Sequence, residues 1–234
     1  MLEILYLDDY LAVVNKPAGW LVHRTPLDKG ESRFVLQTLR DQIGRPVWPV
    51  HRLDKGTSGV LVFALGAEVA RALGQTFENG AGLQKTYRAI VRGWPADELF
   101  IDHALKRMSD DMRSERIEVQ PAQTRLRTLR RGELPIAQGA FPSLRWAEVA
   151  LQPLTGRRHQ LRRHMKHIAH PIIGDATHGK GPLNRAVAAH LGPSRLWLHA
   201  LDLQLMHPVA GHVLSLQVPT GPEWAVWPQT GQPA

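Results

Sequence analysis

The sequence has no cysteine. That one absence excludes disulfides, a thiolate nucleophile, cysteine zinc sites and iron–sulfur ligation. Long apolar runs are missing too. The best of them, such as residues 59–65, are strand-length and far short of the roughly 18 residues of a membrane span. Met1-Leu2-Glu3-Ile4-Leu5 has no basic opening and no extended apolar stretch, so no secretory signal is expected. No glycine-rich phosphate loop or dinucleotide fingerprint occurs. Acidic side chains are scarce, 21 against 29 lysines and arginines, for a net charge of +8. What is present is enough apolar material, 43% of 234 residues, to bury a core and exclude disorder. The expectation is a cytoplasmic globular protein.

The positive surplus is concentrated. Residues 1–60 hold eight basic and seven acidic side chains, whereas residues 155–170 hold five basic residues, four histidines and no acid. Such a patch suits a polyanion, nucleic acid above all, although a solvated helix face on an ordinary enzyme has the same composition.

Apolar spacing outlines the elements. Residues 4–7 and 11–14 read as strands joined at Asp8-Asp9. Ser32 can cap a helix running to Ile43, with Val35, Leu36, Leu39 and Ile43 on one face. Residues 59–65 are apolar on both faces, as in a buried central strand, and a helix over 67–77 follows. Residues 84–94 alternate, with Tyr87, Ala89 and Val91 on one side. The arginine-rich stretch 103–145 reads as surface loops and short strands. After a strand at 146–151, Thr155 or Gly156 opens a helix with Leu161, Met165 and Ile168 as its apolar stripe, ended by His170-Pro171. Residues 194–206 and 213–218 read as paired strands, and the tail from Pro219 shows no clear pattern. The pattern predicts an α+β fold: a single domain over 1–234 on a mixed, mainly antiparallel sheet, with 103–145 inserted.

Three places can hold chemistry. In Val50-His51-Arg52-Leu53-Asp54-Lys55-Gly56-Thr57-Ser58-Gly59, Asp54 lies between two cations that favour its ionised form. It can serve as nucleophile, base or metal ligand, or simply cap a turn. On the basic helix, Arg158, His159, Arg163 and Lys166 make a cationic face, while Arg162 sits at the border with the apolar stripe, where it can reach a buried carboxylate. Tyr87, facing inward, needs a partner for its hydroxyl. The His164, His167, His170 series has helical spacing, but no carboxylate orients the rings and the surroundings are cationic, so no metal is expected. Ser58 lacks the context of a nucleophile elbow.

Six ordered motifs together resemble one family. His51-Arg52-Leu53-Asp54-x-x-Thr57-Ser58-Gly59 is similar to the signature of the RluA-type pseudouridine synthases. So are Val14-Asn15-Lys16-Pro17-x-Gly19, Lys85-x-Tyr87, and Thr155-Gly156-Arg157-x-His159-Gln160-Leu161-Arg162. His170-Pro171-Ile172-Ile173-Gly174-Asp175, and Leu198-His199-Ala200 followed by His207-Pro208, complete the series, which covers nearly the whole chain. The resemblance implies a cofactor-free isomerase converting uridine in RNA to pseudouridine. It makes Asp54 the nucleophile, Arg162 the arginine that pairs with it, Tyr87 the residue packing on the target base, and Leu198 an apolar wall of the uracil pocket. Arg52, Arg158, His159, Arg163 and Lys166 are then expected to bind RNA.

The chain opens almost at the family's first catalytic-domain strand, so no N-terminal S4-type RNA-binding domain is expected. Gly19-Trp20-Leu21-Val22-His23-Arg24, Arg162-Arg163-His164 and His178-Gly179-x-x-x-x-Asn184-Arg185 look most like a subgroup that modifies uridine 65 in the tRNA T stem. A monomer acting on tRNA, with no membrane and no obligatory protein partner, is the expectation. The alternatives are a ribosomal RNA synthase of the same family, a non-catalytic RNA-binding module, and a hydrolase that releases the base.

Overall fold

A computed structural model of the chain describes residues 1–23, 30–108 and 118–228. Arg24, residues 109–117 of the arginine-rich stretch and the end of the tail lie outside the described residues. The elements run β1 (Glu3–Leu7), β2 (Leu11–Lys16), α1 (Val35–Ile43), β3 (Trp48–Pro49), β4 (Ser58–Ala64), α2 (Ala67–Asn79), β5 (Gln84–Arg92) and β6 (Glu98–Asp102). They continue β7 (Leu105–Lys106), β8 (Val119–Gln120), β9 (Gln123–Leu134), β10 (Leu144–Pro153), α3 (Gln160–His167), α4 (Gly181–Leu191), β11 (Leu198–Met206), β12 (Val213–Gln217) and a 3-10 turn (Pro222–Val226). They form two compact units, Met1–Tyr87 with Leu198–Gly221, and Arg88–Trp197 with Pro222–Ala234.

In the first unit the strand order is β1-β2-β4-β11, with β3 on β4 and β12 on β11. β2 pairs antiparallel with β4 from Leu11↔Ala64 to Lys16↔Gly59. All seven residues of β4 are buried, because alternate side chains enter two different cores. Ala12, Val14, Leu61 and Phe63 pack with Val35 and Leu39 of α1, while Leu11, Val13, Val60 and Val62 pack with Leu73 of α2. A helix on each face of a strand pair is what an apolar run without alternation requires. Ser32 does not cap α1. Phe34 stands at the extended N-cap, and the carbonyls of Leu21 and Val22 accept the N–H groups of Val35 and Leu36 at 2.9 Å each. A neighbouring strand-like segment has taken over the capping.

In the second unit β10 and β9 pair antiparallel over ten residues, and β6 joins β9. β9 corrects the expectation for 103–145. This arginine-rich stretch contains a 12-residue strand in which Thr124 and Leu126 are buried and Arg125 and Arg127 exposed. A long polar face masked the alternation. Ile90, Trp146, Trp197, Trp224 and Trp227 form the core here, joined by Leu183 and Val187 of α4. Neither α4 nor the burial of the tail tryptophans is expected from the sequence pattern. α4 buries only two side chains four residues apart, too few to stand out.

The β4–β11 pair is parallel, and β1–β2, β2–β4, β11–β12, β9–β10 and β6–β9 are antiparallel. With four α-helices, this is the α+β architecture with a mixed, mainly antiparallel sheet that the sequence predicts. Among the described residues no helix is long and apolar enough to cross a membrane.

Candidate active site

Asp54 begins a tight turn whose carbonyl accepts the Thr57 N–H at 3.0 Å. The turn leads straight into β4, so its position is set by the most buried strand of the first unit. Lys16, at the end of β2 and fully buried, holds it: the ammonium donates to the carbonyls of Thr57 (2.7 Å), Pro17 (3.0 Å) and Lys55 (3.1 Å). The Gly19 N–H donates to the Lys55 carbonyl as well, at 2.8 Å. A buried charge is tolerated where several dipoles solvate it. Lys16 stands in one of the family-like motifs, but nothing in its spacing reveals this clamp.

Below the turn, β4 and β11 run parallel with His199 opposite Ser58 and Ala200 opposite Gly59. Gly59 has φ +112, and a Cβ there would lie 2.1 Å from the Ala200 carbonyl oxygen, so the approach demands glycine. The Ser58 hydroxyl and His199 Nδ1 are 2.9 Å apart, and His199 Nε2 lies 3.0 Å from the Val218 carbonyl. Because a carbonyl only accepts, Nε2 carries the proton and Nδ1 accepts from Ser58. Ser58 is thereby a structural donor. Leu198, buried at the start of β11, sits one residue before this register pair.

Tyr87 lies in the same unit, packed against the core beneath β2 and β4. Burial, and after it the negative charge of Asp54, raises its hydroxyl well above the ordinary tyrosine value. The hydroxyl therefore stays protonated at neutral pH beside the carboxylate. Arg52 is exposed, and Lys55, which flanks Asp54, forms an ion pair with Glu31.

His51 shows how enclosed the base of this loop is. Its ring stacks on Phe77 at 4.2 Å, and Nε2 accepts the Val62 N–H at 3.0 Å. Burial, with the Lys85 charge second, pushes its pKa down to about 3. The unfolded chain takes up this proton near pH 6.5 and the folded chain does not, so stability is full above pH 6.5 and declines as pH falls towards 3. Between pH 7 and pH 4.5 the wild type is expected to lose about 2 kcal/mol more than His51→Gln, read by urea unfolding. Equal losses would show that His51 protonates freely in the fold.

The second unit holds the basic helix. α3 begins at Gln160, later than the expected 155 or 156, because His159 takes a left-handed conformation (φ 54) and interrupts the helical path. The Gln160 side chain replaces a conventional cap. Its carbonyl oxygen accepts from the Thr155 hydroxyl (2.7 Å) and the Arg157 N–H (3.0 Å), and its amide donates to Gln123 O and Thr124 Oγ1. Leu161 and Met165 are buried as expected.

Arg162 is buried too. Its Nε and Nη2 donate to Asp175 Oδ2 (2.7 Å) and Oδ1 (2.8 Å), a bidentate pair with side chains 9% and 0% exposed. Burial alone would raise the Asp175 pKa, but Arg162 and the amides of His178 and Thr177 overcome that and hold it below the usual carboxylate value. Asp175 closes the His170–Asp175 motif, whose spacing alone gives it no role. Its signal was an acid in an otherwise cationic neighbourhood.

The other predicted RNA contacts differ in exposure. Lys166 is exposed, whereas Arg163 is half-buried and donates to the Lys106 carbonyl at 2.9 Å, so the two do not form one solvated face. His159 Nδ1 lies 3.0 Å from His178 Nε2. His164, in the histidine series, is fully enclosed. Nε2 donates to the His103 carbonyl (3.0 Å), leaving Nδ1 to accept from Thr124 (2.9 Å). Asp54, Arg52, Tyr87 and Leu198 thus belong to the first unit, and Arg158, His159, Arg162, Arg163 and Lys166 to the second.

The family model for RNA pseudouridylate synthase matches residues 10–167, and the chain belongs to this family. A protein of Vibrio cholerae bearing the name tRNA pseudouridine synthase C is 50% identical over 228 residues, 96% of this chain and 93% of that one. The protein of the same name from Pectobacterium carotovorum is 51% identical over 96% of this chain, which spans only 60% of that longer relative. Among solved structures, human RNA pseudouridylate synthase domain containing 1 superposes with TM-score 0.71 at 28% identity, over 94% of this chain and 84% of the human one. Human domain containing 4 gives 0.68 at 27%, over 96% and 90%.

Proposed function

We propose that this pseudouridine synthase acts on tRNA, at uridine 65 of the T stem, with Asp54 as nucleophile and without a cofactor. The observation that carries the reading is the Asp54 turn, clamped by the Lys16 ammonium and set beside a tyrosine whose hydroxyl keeps its proton. The name shared by the relatives that are half identical supports tRNA as the substrate.

The target uridine leaves its stack to reach the turn. An Asp54 oxygen attacks C1′ of the ribose or C6 of the uracil, and the N1–C1′ bond breaks. The base stays, turns, and joins the sugar through C5, and the bond to the Asp54 oxygen breaks to restore the free carboxylate. C5 loses its proton and N1 gains one, so the product is an isomer of the substrate. Tyr87 packs against the base, Leu198 lines its pocket, and Arg162, oriented by Asp175, fills the role of the family's arginine. Arg52, Arg158, His159, Arg163 and Lys166 contact the RNA, in the cytoplasm, with the protein as a monomer.

Purified protein incubated with an unmodified T-arm hairpin in EDTA is expected to yield pseudouridine and no free uracil on nucleoside analysis. Free uracil would make the protein a hydrolase. Modification of ribosomal RNA but not tRNA would move the substrate, and rescue of an EDTA-blocked reaction by Zn²⁺ would show a metal requirement.

A further inference from the structure

The second unit contains a cleft of about 190 Å³ between the β7–β8 ribbon and the start of α3. Lys106, Arg107, Gln120, Arg157, Arg158 and Arg163 line it, and among the described residues no acidic side chain does. The cleft has room for one phosphodiester group with part of its hydration.

The geometry points to a site built for an anion. Arg163 donates to the Lys106 carbonyl at 2.9 Å and Arg157 to the Pro121 carbonyl at 3.1 Å, so two guanidinium groups fasten the ends of the ribbon to the α3 side. Each uses one N–H for this, out of five in a fixed fork. Among the described residues neither guanidinium nor the Lys106 ammonium forms an ion pair with a carboxylate, although Arg157 lies close enough to Glu118 to help lower its pKa. Arg107, by contrast, is matched by Glu118 at 2.9 Å on the exposed side of the ribbon. Packing costs Arg163 hydration, which lowers its pKa, so an anion in the cleft would replace lost solvation. Cations gathered in excess over acids raise the local anion concentration, and the fork geometry of arginine favours phosphate oxygens.

We propose that this cleft seats a backbone phosphate of the RNA substrate, away from the target nucleotide, with Lys106, Arg157 and Arg163 as its ligands. The β7–β8 ribbon is then an RNA-docking element, which gives the inserted stretch a role in binding. The proposal rests on the chain acting on RNA. It does not need tRNA or uridine 65.

The test is affinity for an unmodified tRNA transcript over a range of salt concentrations. Lys106→Gln/Arg157→Gln is expected to weaken binding about tenfold and to lower the slope of log affinity against log salt by about one unit per lost contact. Single-turnover rate at saturating RNA should stay within twofold. Lys106→Glu, an exposed single change that leaves both arginine anchors intact, should weaken binding further. Arg125→Gln/Arg127→Gln, equal in charge but on the exposed face of β9, should change affinity less than twofold. Equal loss in both double variants would replace the site by a diffuse positive surface, and no loss in the cleft variants would remove it. Titration with inorganic phosphate separates the sources. If phosphate binds in a Lys106-dependent way while RNA affinity is unchanged in the variants, the cleft is a small-anion site and the proposal fails. Pseudouridine yield from the wild type judges the tRNA reading separately, so the two ideas fail independently.

Discussion

Asp54→Asn is expected to abolish pseudouridine formation, with a fall of at least about 10⁴-fold in single-turnover rate, while RNA affinity stays within several-fold of wild type. Asparagine keeps the size and polarity of the side chain and removes the charged nucleophilic oxygen. The turn should survive, because its hydrogen bond to Thr57 and the Lys16 clamp use main-chain carbonyls only. Rate and affinity therefore separate in one variant. Quench-flow chemistry beside filter binding measures both, and a rate within tenfold of wild type would take the nucleophile role away from Asp54.

Arg162→Ala should act on stability and chemistry together. With Arg162 gone, Asp175 keeps two main-chain amides but loses the only guanidinium fork described against it, in a place with no exposed surface to let water in. Breaking such a pair costs about 3–5 kcal/mol, a large share of the 5–15 kcal/mol typical of a domain. Because Asp175 titrates below its unfolded value, its contribution is present above about pH 4 and fades as pH falls towards its folded value. The penalty of Arg162→Ala is therefore largest at neutral pH and shrinks in acid. In the protein that remains folded, bound turnover should drop about 10²-fold or more. Asp175→Asn with Arg162 retained is the companion variant. Urea unfolding and single-turnover rates for both decide the matter, and a loss under 1 kcal/mol in Arg162→Ala would show that the pair does not hold this part of the fold.

Residues legible from sequence were those whose local pattern is strong. The unbroken apolar run at 59–65 could only be a strand covered on both faces, and β4 is fully buried with α1 and α2 over its two sides. The family was readable because the residue types and order of the six motifs are specific to it, and the family match agrees. Charge clustering marked α3, since five cations in sixteen residues without an acid need no coordinates to be seen.

Other features depend on what the chain brings together across long separations, where periodicity carries no signal. Lys16 looks like a polar strand end, yet it is the buried ammonium that holds a turn 38 residues further on, because three carbonyls solvate it. α3 starts later than the spacing predicts because a glutamine side chain and a left-handed His159 replace the expected cap. Trp224 and Trp227 follow a tail of turn residues, and only docking against Trp146 and Trp197 makes them core. Composition and motif thus determined the family and the kind of fold. Tertiary structure decided which charges are buried and paired, because burial and pairing depend on residues far away in sequence.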